Sequence, residues 1–264
     1  MNSMTKKMAV MFATIVACLL TTVWCEASLK TGELKTERQS VEVGEAKSAS
    51  VKLGLGVGDV KLHGGAANLM DATFTYNLPE WKPEVKYEVS NSAGKLTVTQ
   101  PKTQGQIKGK TKNKWDIGLK NDFPLSLSVD MGVGNCVADL GGLSVSSLEV
   151  NQGVGDIKVL SGDRPHLAKL DLNSGVGNIE VDLTCIWTQS LDSTIDVGVG
   201  GIKIRLPRDV GVRVEVDKGL GRMNAGGLRK QGDAYVNDAY GKSSITLSIK
   251  ASVGVGDIDV TQGR

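Results

Sequence analysis

Few residues of this 264-residue chain have the types and spacing that catalysis needs. His63 and His166 are the only histidines, and each lies beside a glycine or a proline that is typical of a turn. A Gly-x-Ser-x-Gly nucleophile turn does not occur around Ser174, because Leu172 stands where its first glycine belongs. We therefore predict no catalytic residues and look for binding chemistry instead.

One column of polar residues suggests calcium. These residues follow the recurring phrase Gly-Val-Gly, and the column reads Asp59, Asn135, Asp156, Asn178, Gly201, Arg222 and Asp257. Glycine-aspartate turns also occur in calcium-binding β-rolls, but those turns repeat about every nine residues. A glycine and an arginine would also interrupt a ladder of cations. We predict that these residues form corners, and that the fold needs no metal and no cofactor.

Other polar residues alternate with apolar ones before each turn and are expected to point outward. The charged members form the candidate binding residues Asp130, Glu149, Asp171, Asp196, Glu215 and Asp217. Stacked like charges repel one another, and asparagine or threonine between them relieves this only in part. The column is either a solvated sheet face or a flat acidic surface that receives a basic partner or a weakly bound cation.

A second candidate surface is basic. It lies in a segment rich in Gly, Gln and Thr, predicted as a loop, and comprises Lys108, Lys110, Lys112, Lys114 and Trp115. A solvated loop is one interpretation, and contact with an anionic envelope polymer or lipid headgroups is the other. One aromatic residue among these lysines is too few for nucleic acid. Tyr235 and Tyr240 supply exposed aromatic candidates on a later insertion.

The elements that position these residues follow from the glycines. Gly-Val-Gly begins at Gly56, Gly132, Gly153, Gly175, Gly198 and Gly254, with a degenerate copy at Gly219. The middle copies are roughly 21 to 23 residues apart, a period that indicates one supersecondary unit stacked on the next. Apolar residues alternate with polar ones on both sides of each turn, as in strands with one buried face. We predict an all-β, parallel β-solenoid of right-handed β-helix type.

Two further expectations concern the core of this stack. We expect the turn valines to form one inward column, so that Val176→Asp would cost several kcal/mol; its members are Val57, Val133, Val154, Val176 and Val199. We also expect Cys136 to point inward beside Ile157, and Cys185 to stay unbridged because about two rungs separate the two thiols.

Residues 1–27 read as a targeting segment, with two lysines, an apolar run from Met8 to about Trp24, and small residues before Ser28. Cleavage after Ala27 is the first interpretation. The segment ending at Cys18 also resembles a lipoprotein signal, which would make Cys18 a lipidated first residue, and an uncleaved membrane anchor is the third possibility. We predict an exported protein that is periplasmic, on the cell surface or secreted. Residues 28–124 would form irregular rungs, and residues 125–264 the regular solenoid.

Several motifs resemble the bacterial toast-rack domain. The first set comprises Val57-Gly58-Asp59-Val60, Tyr76-Asn77-Leu78-Pro79, Trp81-Lys82-Pro83, Val85-Lys86-Tyr87 and Gly94-Lys95-Leu96. The segment from Trp115 to Leu125 is similar to that domain's continuation. Tyr235, Asn237 and Tyr240 resemble an insertion in related candidate adhesins and in the C-terminal domains of membrane regulators of envelope stress. The resemblance implies the solenoid fold and says little about function.

Three functions remain open from the sequence. The leading hypothesis is a non-enzymatic, exported cell-envelope protein that acts in binding, adhesion or envelope-stress interaction, with an envelope protein or a cell-wall polymer as its partner. The second is an extracellular polysaccharide lyase or hydrolase, which would need clustered carboxylates in a cleft. The third is a structural spacer.

Overall fold

The computed structural model describes residues 28–263. The predicted targeting segment, including Cys18, lies outside the described residues. Within the described part of the chain, the one helical element is a 3-10 turn at Pro79–Trp81, and no helix is long and apolar enough to cross a bilayer. The strands are β1 (Ser28–Lys30), β2 (Lys35–Val41), β3 (Ser48–Val57), β4 (Asp59–Ala66), β5 (Met70–Tyr76), β6 (Glu84–Ser90), β7 (Ala93–Thr99), β8 (Gln106–Lys108), β9 (Asn113–Lys120), β10 (Pro124–Val133), β11 (Cys136–Asp139), β12 (Ser144–Val154), β13 (Ile157–Leu160), β14 (Lys169–Val176), β15 (Ile179–Asp182), β16 (Leu191–Val199), β17 (Ile202–Leu206), β18 (Gly211–Leu220), β19 (Met223–Gly226), β20 (Arg229–Gln231), β21 (Ala234–Val236), β22 (Thr246–Val255) and β23 (Ile258–Gln262).

Strands β1 and β8 form a small parallel sheet that belongs to a unit of its own. The other strands form two large sheets. Sheet I has eleven strands in the order β20-β21-β18-β22-β16-β14-β12-β10-β3-β7-β6, and sheet II has ten in the order β19-β23-β17-β15-β13-β11-β4-β9-β5-β2.

Seven bent strand pairs build the stack. Each pair gives its first strand to sheet I and its second to sheet II, and all neighbouring pairs run parallel. In stack order they are β3/β4, β10/β11, β12/β13, β14/β15, β16/β17, β22/β23 and β18/β19. The predicted all-β parallel solenoid is therefore confirmed. The last pair in sequence lies between the two before it, an order that the repeat did not predict.

The core lies between the two sheets. The alternation of apolar and polar residues along the strands correctly predicted which strand residues it contains. Leucines, isoleucines and valines on both arms are buried, for example Leu127, Val150, Ile179 and Val260. Cys136 is also buried and pairs in register with Val60 and Ile157, as predicted. Cys185 is half-buried and a free thiol, and its Sγ lies 3.1 Å from Ser161 Oγ.

The predicted inward column of turn valines is wrong. Val57, Val133, Val154, Val176 and Val199 are 40% to 49% exposed. The cause is the shape of the turn. Gly134 has φ +144°, and a Cβ there would lie 1.7 Å from the carbonyl oxygen of Gly58. Successive turns thus pack backbone against backbone, and the alternation of the strand does not continue through the bend. Each valine is therefore left exposed at its bend.

Both ends of the stack carry additions with antiparallel strands. At one end, β7 and β9 join β3 and β4 in parallel, and β6, β5 and β2 then continue the two sheets antiparallel. This end buries Phe74, Trp81 and Trp115. Asn91 and Ser92, with φ of 50° and 60°, form the tight turn between β6 and β7. At the other end, the hairpin β20–β21 pairs antiparallel with β18.

Candidate functional site

The outer face of sheet I carries the six predicted acidic binding residues, in two rows that cross seven strands. In stack order, the inner row, nearer the turns, is Gly54, Asp130, Asn151, Asn173, Asp196, Ser252 and Asp217. The outer row is Lys52, Ser128, Glu149, Asp171, Thr194, Lys250 and Glu215.

This face is not the continuous acidic strip that the sequence order suggested. The insertion of β22 places Ser252 between Asp196 and Asp217, and Lys250 between Thr194 and Glu215. The outer row therefore begins with Lys52 and has Lys250 next to its other end, before Glu215. The face combines ammonium, hydroxyl, amide and carboxylate groups at the strand spacing of about 4.8 Å.

Several of its charges pair with one another. Lys52 Nζ lies 2.8 Å from Asp130 Oδ2, and Lys169 Nζ lies 2.7 Å from Asp171 Oδ2. The hydrogen bond from Lys52 holds the pKa of the Asp130 carboxyl below its ordinary value. The bond to Asp171 likewise raises the pKa of Lys169. Arg213 also pairs with Glu215. These cations on the same sheet reduce the predicted repulsion between stacked acids.

Asparagine side chains link the inner row. Asn151 Nδ2 donates to Asp130 Oδ1 at 3.2 Å and to Glu149 Oε1 at 2.9 Å. Asn173 Nδ2 donates to Asn151 Oδ1 at 2.9 Å. Because an amide can donate and accept at once, asparagine between carboxylates turns a repulsive column into a bonded one. The bonds also hold these side chains in fixed positions.

Two depressions follow this face. The larger, of about 700 Å³, runs beside the inner row, and its floor contains Gly132, Gly153, Gly175 and Gly198. The smaller, of about 320 Å³, lies over the outer row and is lined by residues that include Ser50, Lys52, Lys95, Ser128, Ser147, Glu149, Lys169 and Asp171. Both are open surface grooves, and the smaller, lined by charged groups and hydroxyls, can receive an extended, polar partner.

The corner column has the structural role that the sequence predicted. Asp59 Oδ1 accepts hydrogen bonds from the backbone N–H and the side-chain amide of Asn135, each at 3.1 Å. Asp156 Oδ1 accepts the equivalent pair from Asn178, at 2.8 and 3.0 Å. Each side-chain oxygen thus caps the next rung. At the last rung, Asp257 pairs with Arg222, which places the arginine within the ladder.

The lysine segment differs from the predicted loop. Residues 113–120 form strand β9, and Trp115 is buried edge-on against Phe74, with ring centroids 5.4 Å apart. Trp115 is therefore a core residue and lines no binding surface. Lys110, Lys112 and Lys114 are brought together around a depression of about 640 Å³. Lys108 lies in β8, in the small separate unit.

The tyrosine insertion is partly structural. Tyr235 lies in β21 opposite Val214, and both Tyr235 and Tyr240 are half-buried. The buried Asn237 side chain accepts from the Val212 N–H at 2.9 Å and donates to the Val210 carbonyl at 2.7 Å. This asparagine holds the insertion against the last rung.

Sequence reasoning missed Lys52, Lys250 and Ser252 as members of the face. The signal was present, because these residues precede Gly56 and Gly254 by the same two or four positions as the acids precede their own turns. Lys95 had no such signal, since β7 joins sheet I without a glycine turn of its own.

Two known protein families match this chain, each over a different part of it. Residues 30–164 match the family described as the N-terminal domain of toast_rack. Residues 153–260 match the family described as cell wall-active antibiotics response LiaF, C-terminal. No curated protein matches the chain.

Several solved structures also match this chain. A candidate cell adhesion protein from Clostridium sporogenes is 30% identical, with a TM-score of 0.68, over 88% of this chain and 100% of its own. A candidate adhesin from Bacteroides fragilis is 17% identical, with a TM-score of 0.43, over 87% of this chain and 99% of its own. A third, from Parabacteroides distasonis, is 14% identical, with a TM-score of 0.33, over 89% of this chain and 100% of its own.

Proposed function

The chain belongs to the toast-rack family, and on that premise we propose that it is an exported, non-enzymatic binding protein of the bacterial cell envelope. Its partner is a cell-wall polymer, which it holds on the outer face of sheet I. The protein acts in adhesion or in the response to envelope stress.

The observation that carries this proposal is the composition of that face. Lys52, Lys95 and Lys169 provide cations around the smaller depression, while Glu149 and Asp171 provide anions within it. Serine hydroxyls lie between them. Such a surface can bond to a polymer that carries hydroxyl, amide and charged groups. The stacked strands hold these groups at a regular spacing of about 4.8 Å, which suits an extended partner.

The relatives agree with this class of function. The match to the LiaF family concerns a domain described by its response to cell wall-active antibiotics. The structure from Clostridium sporogenes is that of a candidate cell adhesion protein. The targeting segment at residues 1–27 supports export, and lipidation at Cys18 or retention of the N-terminus would add a membrane attachment.

Bulky substitutions on the two outer sheet faces test the proposal. Ser128→Trp and Thr194→Trp cover the outer face of sheet I, and Lys158→Trp and Glu180→Trp are controls on the outer face of sheet II. We expect the first two variants to lose retention by isolated envelope fraction by about tenfold or more, equivalent to ~1.4 kcal/mol, and the controls to be retained like the parent. Equal retention of all four would contradict the assignment, and so would retention that survives enzymatic digestion of the wall polymer.

A further inference from the structure

The exposed turn valines form a continuous ridge, which we call the valine ridge. In stack order it comprises Val57, Val133, Val154, Val176, Val199, Val255 and Leu220. The valines are 40% to 49% exposed and Leu220 is 73% exposed. At about 4.8 Å per strand, the ridge extends over about 29 Å. A contiguous apolar strip on a protein surface is a candidate interaction site.

A groove of matching direction lies directly beside the ridge. It is the 700 Å³ depression whose floor contains Gly132, Gly153, Gly175 and Gly198. Each of these glycines immediately precedes a ridge valine in the sequence. The surface therefore has a row of β-branched side chains and, parallel to it, a row of glycines in the groove. Both rows repeat at the same strand spacing.

We propose that the valine ridge is the interface with a second copy of this chain. The two copies are related by a two-fold axis parallel to the stack. This operation places the ridge of each copy in the glycine groove of the other, so that one surface patch serves both sides of an isologous contact. The apolar side chains then leave water on both copies.

The residues that flank the ridge are compatible under this symmetry, and one pair carries opposite charges. Each inner-row residue faces the corner residue of the same rung on the second copy, five positions later in the sequence. In no rung do two acids meet. The facing pairs are Gly54 with Asp59, Asp130 with Asn135, Asn151 with Asp156, Asn173 with Asn178, Asp196 with Gly201, Ser252 with Asp257, and Asp217 with Arg222.

The same pattern fixes the register. A slip of one rung in either direction would bring Asp59 against Asp130 and Asp257 against Asp217 on one flank of the contact. On the other flank it would bring Asp156 against Asp130 and Asp257 against Asp196. Like charges that face each other across an interface disfavour the wrong pairing. The aligned register is therefore the one in which the flanks attract or are neutral.

Two other occupants of the ridge fit less well. A lipid surface would meet carboxylates on both flanks of the ridge, and these repel anionic headgroups. An antiparallel pair of copies would place ridge on ridge and leave both glycine grooves unfilled. The parallel pair uses the ridge, the groove and both flanks, and it leaves the outer row of sheet I free for the polymer proposed above.

The molecular mass in solution is the first test. By sedimentation equilibrium, we expect the parent protein to be a dimer at micromolar concentration. Val154→Lys and Val176→Lys, at exposed sites that need no refolding of the core, should weaken the dimer at least tenfold. Ile186→Lys, on an apolar residue that is 62% exposed outside the ridge, is the matched control and should remain dimeric. A monomeric parent, or ridge variants that dimerise like the parent, would overturn the proposal.

Single cysteines test the direction of pairing. In a Cys185→Ser background, Val57→Cys brings two thiols to the same end of a parallel pair, and oxidation should give a disulfide-linked dimer. In an antiparallel pair these thiols would lie at opposite ends, whereas Val176→Cys at the centre would still cross-link. Cross-linking by Val176→Cys alone would therefore contradict the parallel arrangement. Neither test depends on the cell-wall polymer, so failure here is distinguishable from failure of the proposed function.

Discussion

At the scale of single residues, the strands and glycine turns show which side chains the sequence assigns correctly to the core and which it does not. The strand residues on both arms were assigned correctly to the core, because alternation by two is a direct consequence of strand geometry. The turn valines were assigned to the wrong side, because a positive φ at the second glycine ends that alternation. Their exposure follows from the stacking of successive turns, which cannot be inferred from one repeat alone.

Aspartate substitutions at a ridge valine and a core valine test this residue-scale account. We expect Val176→Asp to lower the free energy of unfolding by less than about 1 kcal/mol, since the new carboxylate stays in water. Val181→Asp buries a carboxylate in the core and should cost about 4 kcal/mol or more. Urea denaturation at low protein concentration compares the two. A similar loss in both variants would place the turn valines inside after all.

At the scale of elements, polar side chains hold the irregular connections in place. The segment between β4 and β5 is closed by Asp71, whose Oδ1 accepts from Asn68 Nδ2 at 2.9 Å and whose Oδ2 accepts from the Ala67 N–H at 3.0 Å. Hydrogen bonds from the side chains of Asn68 and Ser40 are the main causes that lower the pKa of this carboxyl to about 2. No sequence pattern predicted this role, because the donors depend on the path of the loop.

Acid titration tests the role of Asp71. Its pKa is lowered in the folded protein, so its ionised form stabilises the fold above about pH 4, and this stabilisation is lost as the pH falls towards 2. We expect Asp71→Asn to be less stable than the parent at pH 7, and the difference to disappear near pH 2. Asp163→Asn, in the exposed connection between β13 and β14, is the control. Thermal melts at each pH give the comparison, and a difference that stays constant with pH would contradict the assignment.

At the scale of the whole molecule, the repeat predicted the architecture but not the order of the rungs. Strand pairs with the same pattern can stack on any neighbour, so the period does not fix which pairs are adjacent. The degenerate turn at Gly219 gave an unused signal, since terminal repeats of a solenoid are atypical. The structure places that pair at the end of the stack, where the second half of β18 is exposed and β22 lies inside it. This order mixes charges on the face of sheet I and puts Arg222 in the corner ladder.

Equilibrium binding of the unmodified, exported protein to purified cell-wall polymer tests the central claim most directly. The outer face of sheet I presents fixed, mixed polar groups, so we expect saturable binding with half-saturation below about 100 µM, no release of reducing ends, and competition by soluble wall fragments. Ser128→Trp should shift the curve to higher concentration. Absence of saturable binding, or cleavage of the polymer by the parent protein, would contradict the account.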